Sequence, residues 1–136
     1  MYEYKCVIDR VVDGDTVDID IDLGFDVKLT KQRVRLMGVD TPESRTSDKE
    51  EKVYGKIASA YVKDLLPVGS TQTFTCKEYN TSGKFGRLLG DFKIGDSSIC
   101  QMLIESHNAV PYHGQSKEDI AEAHLENRKW VNLTKT

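Results

Sequence analysis

Cysteine is scarce in this chain. Only Cys6, Cys76 and Cys100 occur among 136 residues, and no two stand in a C-x-x-C spacing. An odd, dispersed set excludes a disulfide framework and a thiolate zinc cage; it reads as buried thiols in a reducing compartment. Long apolar runs are missing as well. Nothing approaches the ~18 residues of a membrane-spanning helix, so no membrane partner is expected. The start, MYEYKCVIDRVV, is charged where a signal peptide is apolar, which makes a cytoplasmic location the expectation. Basic excess is absent too: 19 Lys and Arg face 22 Asp and Glu, a net charge of −3. Binders of phosphate backbones are ordinarily basic, so a polyanion partner would need a local patch or a metal. No Walker loop or Ser-His-Asp arrangement is visible, and His107, His113 and His124 lack metal-ligand spacing.

What is present fits one monomeric domain over residues 1–136, long enough to bury a core. In DTVDIDIDLG, Val17, Ile19, Ile21 and Leu23 alternate with Asp18, Asp20 and Asp22, the period of a half-buried strand ending at Gly24. Val27 and Leu29 hold the odd phase, whereas Val34 and Leu36 are even, so a bulge is predicted near residues 30–33. Residues 43–52 read as an exposed polar loop. Ile57, Ala58, Tyr61, Val62, Leu65 and Leu66 then recur at helical spacing within Val53–Leu66, stopped by Pro67 and Gly69. Two strands, Thr71–Tyr79 and Arg87–Lys93, flank a turn at 80–86. Ser97 or Ser98 is positioned to cap a short helix through Met102–Ile104, and Ser116 to start a last helix reaching about Trp130. Three strands, a helix, two strands and two helices suit a small oligonucleotide-binding barrel or an α+β sandwich.

Several polar groups are candidates for chemistry. The Asp18/Asp20/Asp22 run fails as a calcium loop, because its sixth and twelfth positions are Leu23 and Leu29; a solvated strand face is the expectation. Asp15 of DGDT shares the parity of Val17 and should face the apolar side, where a carboxylate needs a partner; turn chemistry is the alternative. VRLMGVDTPE, residues 34–43, ends a strand in Asp40, Thr41 and Glu43. Two carboxylates and the carbonyl of a residue before proline are hard ligands for Ca²⁺ or Mg²⁺, and Asp15 would complete a three-carboxylate site. Arg35 and Arg87 suit bidentate grip of phosphate, or are plain surface arginines. Lys84, Phe85 and Tyr112 offer a phosphate contact and stacking faces.

DGDT, VRLMGVDTPE and GKFGR, in that order, resemble the staphylococcal-type thermonuclease family, as do Tyr54-Gly55 ahead of Ala58-Ser59-Ala60 and the terminal helix with Arg128 and Trp130. The resemblance implies a five-stranded oligonucleotide-binding barrel with three helices. It implies calcium-dependent hydrolysis of DNA or RNA to 3′-phosphates. Asp15, Asp40 and the Thr41 carbonyl correspond to the calcium ligands, Glu43 to the general base and Arg35 and Arg87 to the arginines on the transition state. Lys84 and Phe85, and more loosely Tyr112, correspond to nucleotide contacts. This chain departs from the pattern in a longer segment between Asp15 and Arg35, in Gly83 where an acid is frequent, and in Phe85 where tyrosine is frequent. The competing expectation is an oligonucleotide-binding module without catalysis, which tends to lose the carboxylates and arginines that are all kept here.

Overall fold

Alternating segments need partners on both edges, and here they find them by closing on themselves. The computed structural model describes residues 2–79 and 87–131. Lys84, Phe85 and the turn expected at 80–86 lie outside the described residues. In chain order the elements are β1 (Tyr2–Asp13), β2 (Thr16–Asp22), β3 (Lys28–Leu36), β4 (Val39–Asp40), α1 (Lys49–Leu65), β5 (Thr71–Tyr79), β6 (Arg87–Ile94), β7 (Ser97–Ser98), α2 (Ile99–Glu105), β8 (Val110–Pro111) and α3 (Lys117–Asn127), followed by a 3₁₀ turn at Arg128–Trp130. Antiparallel pairing runs β3-β2-β1-β5-β6, and β6 returns parallel to β3. The result is a closed five-stranded barrel with three helices, of the oligonucleotide-binding type. Closure satisfies the edge N–H and C=O groups that an open sheet would leave bare.

Of the residues predicted to face inward, Val17, Ile19, Ile21, Val34 and Leu36 fill the barrel interior. Ile8, Phe74 and Phe92 are buried with them, joined by Val62 and Leu66 at the end of α1 and Leu103 of α2. Phe74 and Phe92 lie at 5.4 Å between ring centroids, a tilted aromatic pair across β5 and β6. Cys6 and Cys100 are buried thiols; Cys76 is only partly buried. None of the described helices is long and apolar enough to cross a membrane.

The predicted bulge is present. Ile19 faces Gln32 and Ile21 faces Leu29, so β3 holds one residue more than β2 across this step. Lys31 takes up the excess at φ 54°, and its N–H donates to Asp20 Oδ1 at 2.8 Å. The other acids of that face are also engaged: Asp18 accepts from Arg33 Nε and Nη2, and Asp22 from Gly24 N. The aspartates thus brace the hairpin. Leu23 and Val27, expected on the apolar face, are exposed instead, because the strand ends at Asp22 and the chain turns through left-handed Gly24, Phe25 and Asp26.

α1 begins at Lys49, not Val53, and the loop expected over 43–52 is correspondingly shorter. Asp48 is the reason: its Oδ1 accepts from Glu50 N and Glu51 N, and two glutamates in the first turn favour the positive end of the helix dipole. Ser98 and Ser116 cap α2 and α3 as predicted, accepting from Gln101 N and Asp119 N. The short strands β4, β7 and β8 went unpredicted, since two residues carry no period. β4 and β8 pair with each other through Val39–Pro111 and Asp40–Val110.

Candidate active site

Two turns meet beside β3. One is DGDT, between β1 and β2; the other is the VDTPE bend after β3. Their contact is tight. A Cβ on Gly14 would stand 2.9 Å from Thr41 Oγ1 and 3.0 Å from the Ala58 Cβ. Glycine lets the first turn sit directly against the side chains of Thr41 and Ala58. Asp15 is then tied across the gap: its Oδ2 accepts from Thr41 N at 3.2 Å, and its Oδ1 from Thr16 Oγ1 at 3.0 Å.

Arg35 sits between the two turns. Its Nη1 donates to the carbonyls of Leu36 at 3.1 Å and Val39 at 2.8 Å, which fixes the guanidinium plane. Its Nη2 lies 3.5 Å from Asp15 Oδ2 and 3.3 Å from Asp40 Oδ1. One guanidinium therefore faces a carboxylate from each turn, with all three side chains about a quarter exposed or less. Tyr112 is beside it: the Arg35 Cζ is 5.9 Å from the ring centroid, and Tyr112 N donates to Gly38 O at 2.8 Å. Barrel closure brings in Arg87, whose register partner on β3 is Arg33. Since Arg33 and Arg35 point to the same side of β3, Arg87 joins Arg35 on the outer face.

The structure thus gathers Asp15, Asp40, Thr41, Arg35 and Tyr112, and sets Arg87 on the same face. The three-carboxylate cluster expected from the sequence is not formed. Among the described residues no three His, Cys, Asp or Glu side chains converge to hold a metal ion. Glu43 is exposed, on a loop fixed by other contacts. Its carbonyl packs on α1 where a Cβ on Gly55 would stand 2.3 Å away, and its neighbour Ser44 donates through Oγ to Asp13 Oδ1 at 2.9 Å. Burial pushes the Asp13 carboxyl above its ordinary pKa; the bonds from Ser44 and Gly14 N lower it, and the Asp15 charge raises it further.

His124 is the residue sequence reasoning missed. It is buried on α3, and its Nε2 lies 2.8 Å from Asp40 Oδ2. Asp40 is therefore held on both oxygens, by Arg35 and by His124. Spacing between histidines carries no trace of this. The available signal was helical phase: Ile120, His124 and Asn127 share one face of α3, so two polar side chains occupy the inward stripe. Asn127 Nδ2 donates to Ala109 O at 3.0 Å, and Arg128 Cζ sits 5.0 Å from the Tyr54 ring centroid, so this face docks α3 onto the site.

The donor set suits a hard cation. Two half-buried carboxylates stand next to Thr41, whose buried Oγ1 has no hydrogen-bond partner among the described residues. Two protein carboxylates alone leave coordination positions for water and a phosphate oxygen, as in ions shared with a substrate.

A family model described as "Staphylococcal nuclease homologue" matches residues 33–130. The thermonuclease of Staphylococcus intermedius is 40% identical over 92 residues, 66% of this chain and 49% of that protein. Endonuclease YhcR of Bacillus subtilis is 33% identical over 114 residues, 80% of this chain and 9% of that protein. The SPbeta prophage-derived endonuclease YokF of the same organism is 30% identical over 128 residues, 88% of this chain and 41% of that protein. The chain spans about half the length of these relatives or less.

Proposed function

The chain belongs to the staphylococcal nuclease homologue family, and from that premise we propose that it is a nuclease hydrolysing phosphodiester bonds of DNA or RNA to 3′-phosphate products. The observation that carries the reading is the placement of Arg35. A guanidinium fixed by two main-chain carbonyls offers an anion grip, and the Asp15 and Asp40 carboxylates beside it offer oxygens for a cation, the two needs of phosphoryl chemistry.

Asp15, Asp40 and the Thr41 carbonyl would hold a calcium ion. Bound there, the ion would supply Lewis-acid polarisation of a phosphoryl oxygen and acidify a water. The chain's own groups do the rest. Glu43 takes the proton of the attacking water, whose oxygen bonds to phosphorus. The P–O5′ bond breaks, the 5′-oxygen leaves as an alcohol by taking a proton from solvent water, to which Glu43 returns its own, and the phosphate stays on the 3′ side. Arg35 and Arg87 neutralise charge on the equatorial oxygens of the trigonal-bipyramidal state. Tyr112, beside Arg35, offers a face to a base or sugar, and Lys84 and Phe85 contact the nucleotide. A single domain acting as a monomer in the cytoplasm completes the reading.

The test is cleavage of labelled single-stranded DNA with calcium, with magnesium and with chelator, wild type beside Glu43→Gln. Calcium-dependent cutting that drops at least 100-fold in the variant is the expected result. Calcium binding by a wild type that does not cut favours a binding module. Cutting that survives both chelator and substitution overturns the site.

A further inference from the structure

This acidic chain carries one strongly basic surface. Two open grooves adjoin on it, of about 680 and 610 Å³, sharing Val12 and Arg45 in their walls. The larger is lined by Arg10, Arg45, Lys56 and Lys63 and, among the described residues, by no carboxylate. The smaller adds Lys31, Arg33 and Arg87, against Asp13 and Asp18. Seven cations stand against two carboxylates among the described residues lining this surface, in a chain whose total charge is −3. Such segregation is not what a solvated mixed surface looks like.

The cations of the larger groove are also unengaged. Arg10, Arg45, Lys56 and Lys63 are exposed, and none makes an ion pair among the described residues. Unpaired like charges crowded into one concavity repel each other, and a polyanion relieves that repulsion. Lys56 and Lys63 lie two turns apart on one face of α1, about 10 Å along its axis. That distance matches the rise of about three stacked nucleotides. Among the described residues no aromatic side chain lines either groove, and the groups these offer are cations suited to backbone phosphates.

We propose that this trough holds the phosphodiester backbone of a nucleic-acid strand beyond the catalytic centre, running from Arg87 past Arg45 to Lys63. The assignment rests on the nuclease reading for its Arg87 end. It makes the substrate a polynucleotide several residues long and independent of sequence. The trough contributes binding that is equal in ground and transition states, so it lowers KM for long strands and leaves kcat alone.

The variant is Lys56→Gln with Lys63→Gln, two exposed residues outside the catalytic groups. Its binding to a fluorescent single-stranded oligonucleotide of about twenty nucleotides is followed by anisotropy in chelator across a salt series. Each lost phosphate contact should flatten the plot of log K against log salt by about 0.7, so the double variant should lose about 1.4 in slope. Its cleavage of a dinucleotide-sized phosphodiester should match wild type. Lys52→Gln with Lys117→Gln, off the trough, serves as the equal-charge control. An unchanged slope, or an equal loss in the control, overturns the proposal. A wild type that binds the long strand with the trough-dependent slope but never cuts it refutes the nuclease reading and upholds the trough. A wild type that cuts the short substrate, beside a double variant of unchanged slope, refutes the trough alone.

Discussion

Asp40 shows how little of a site resides in one side chain. It has Arg35 Nη2 at 3.3 Å on Oδ1 and His124 Nε2 at 2.8 Å on Oδ2. A carboxylate held at both oxygens loses rotational freedom before any ligand arrives, which is how outer partners tune a metal ligand. His124→Leu should therefore weaken calcium binding about 10- to 100-fold, read by titration calorimetry without substrate, while His124→Gln recovers part of the loss by restoring an N–H. Equal affinities in wild type and His124→Leu would remove His124 from this role. Asp15 and Arg35 were singled out in the sequence by their motifs, but strand parity set them on opposite sides, and only the fold brings Asp15 Oδ2 to 3.5 Å from Arg35 Nη2. His124 was not singled out, because its partner is 84 residues away and nothing local to α3 names it.

At the level of elements, glycine decides how the loops sit on the helix. Gly55 lies inside α1, where replacement by alanine ordinarily stabilises by about 1 kcal/mol. Here the added methyl would stand 2.3 Å from the Glu43 carbonyl oxygen and 2.6 Å from Ser44 N. Backbone cannot yield as a side chain tip does, so the sign reverses. Gly55→Ala should lower Tm and, by displacing the Glu43 loop, lower kcat more than the lost stability explains, as checked by calorimetry and initial rates. A variant with higher Tm and full activity would show that the loop does not depend on this contact. The helix itself was readable from its apolar spacing. Its true start was hidden because Asp48, Glu50 and Glu51 read as loop charge until their capping geometry is seen.

Across the whole molecule, the barrel that places the arginines also buries Cys6 and Cys100. Burial pushes Cys6 from an ordinary 9.0 to about 11, a backbone hydrogen bond from Gln72 only partly opposing it. Cys76 and Cys100 shift upward too, in both cases chiefly by burial. A raised folded-state pKa means the native state holds the proton longer than the unfolded chain. The associated stability is complete below pH 9 and is lost as pH rises towards 11. The urea midpoint should fall over that interval, and Cys6→Ala should flatten the fall; an identical slope in the variant would mean that other groups drive it. The buried, neutral thiols of Cys6 and Cys100 should also resist alkylation at pH 7 until the fold opens. The alternating strands, the helix faces, the serine caps and the three polar blocks were determined by the sequence alone, because each is a pattern within one element or one turn. The parallel pairing of β6 with β3, which sets Arg87 on the Arg35 side, was decided only by the tertiary structure, as were the joining of the two grooves and the His124–Asp40 contact. Those depend on register and closure of the barrel, which bring together residues whose local sequence carries no mark of one another.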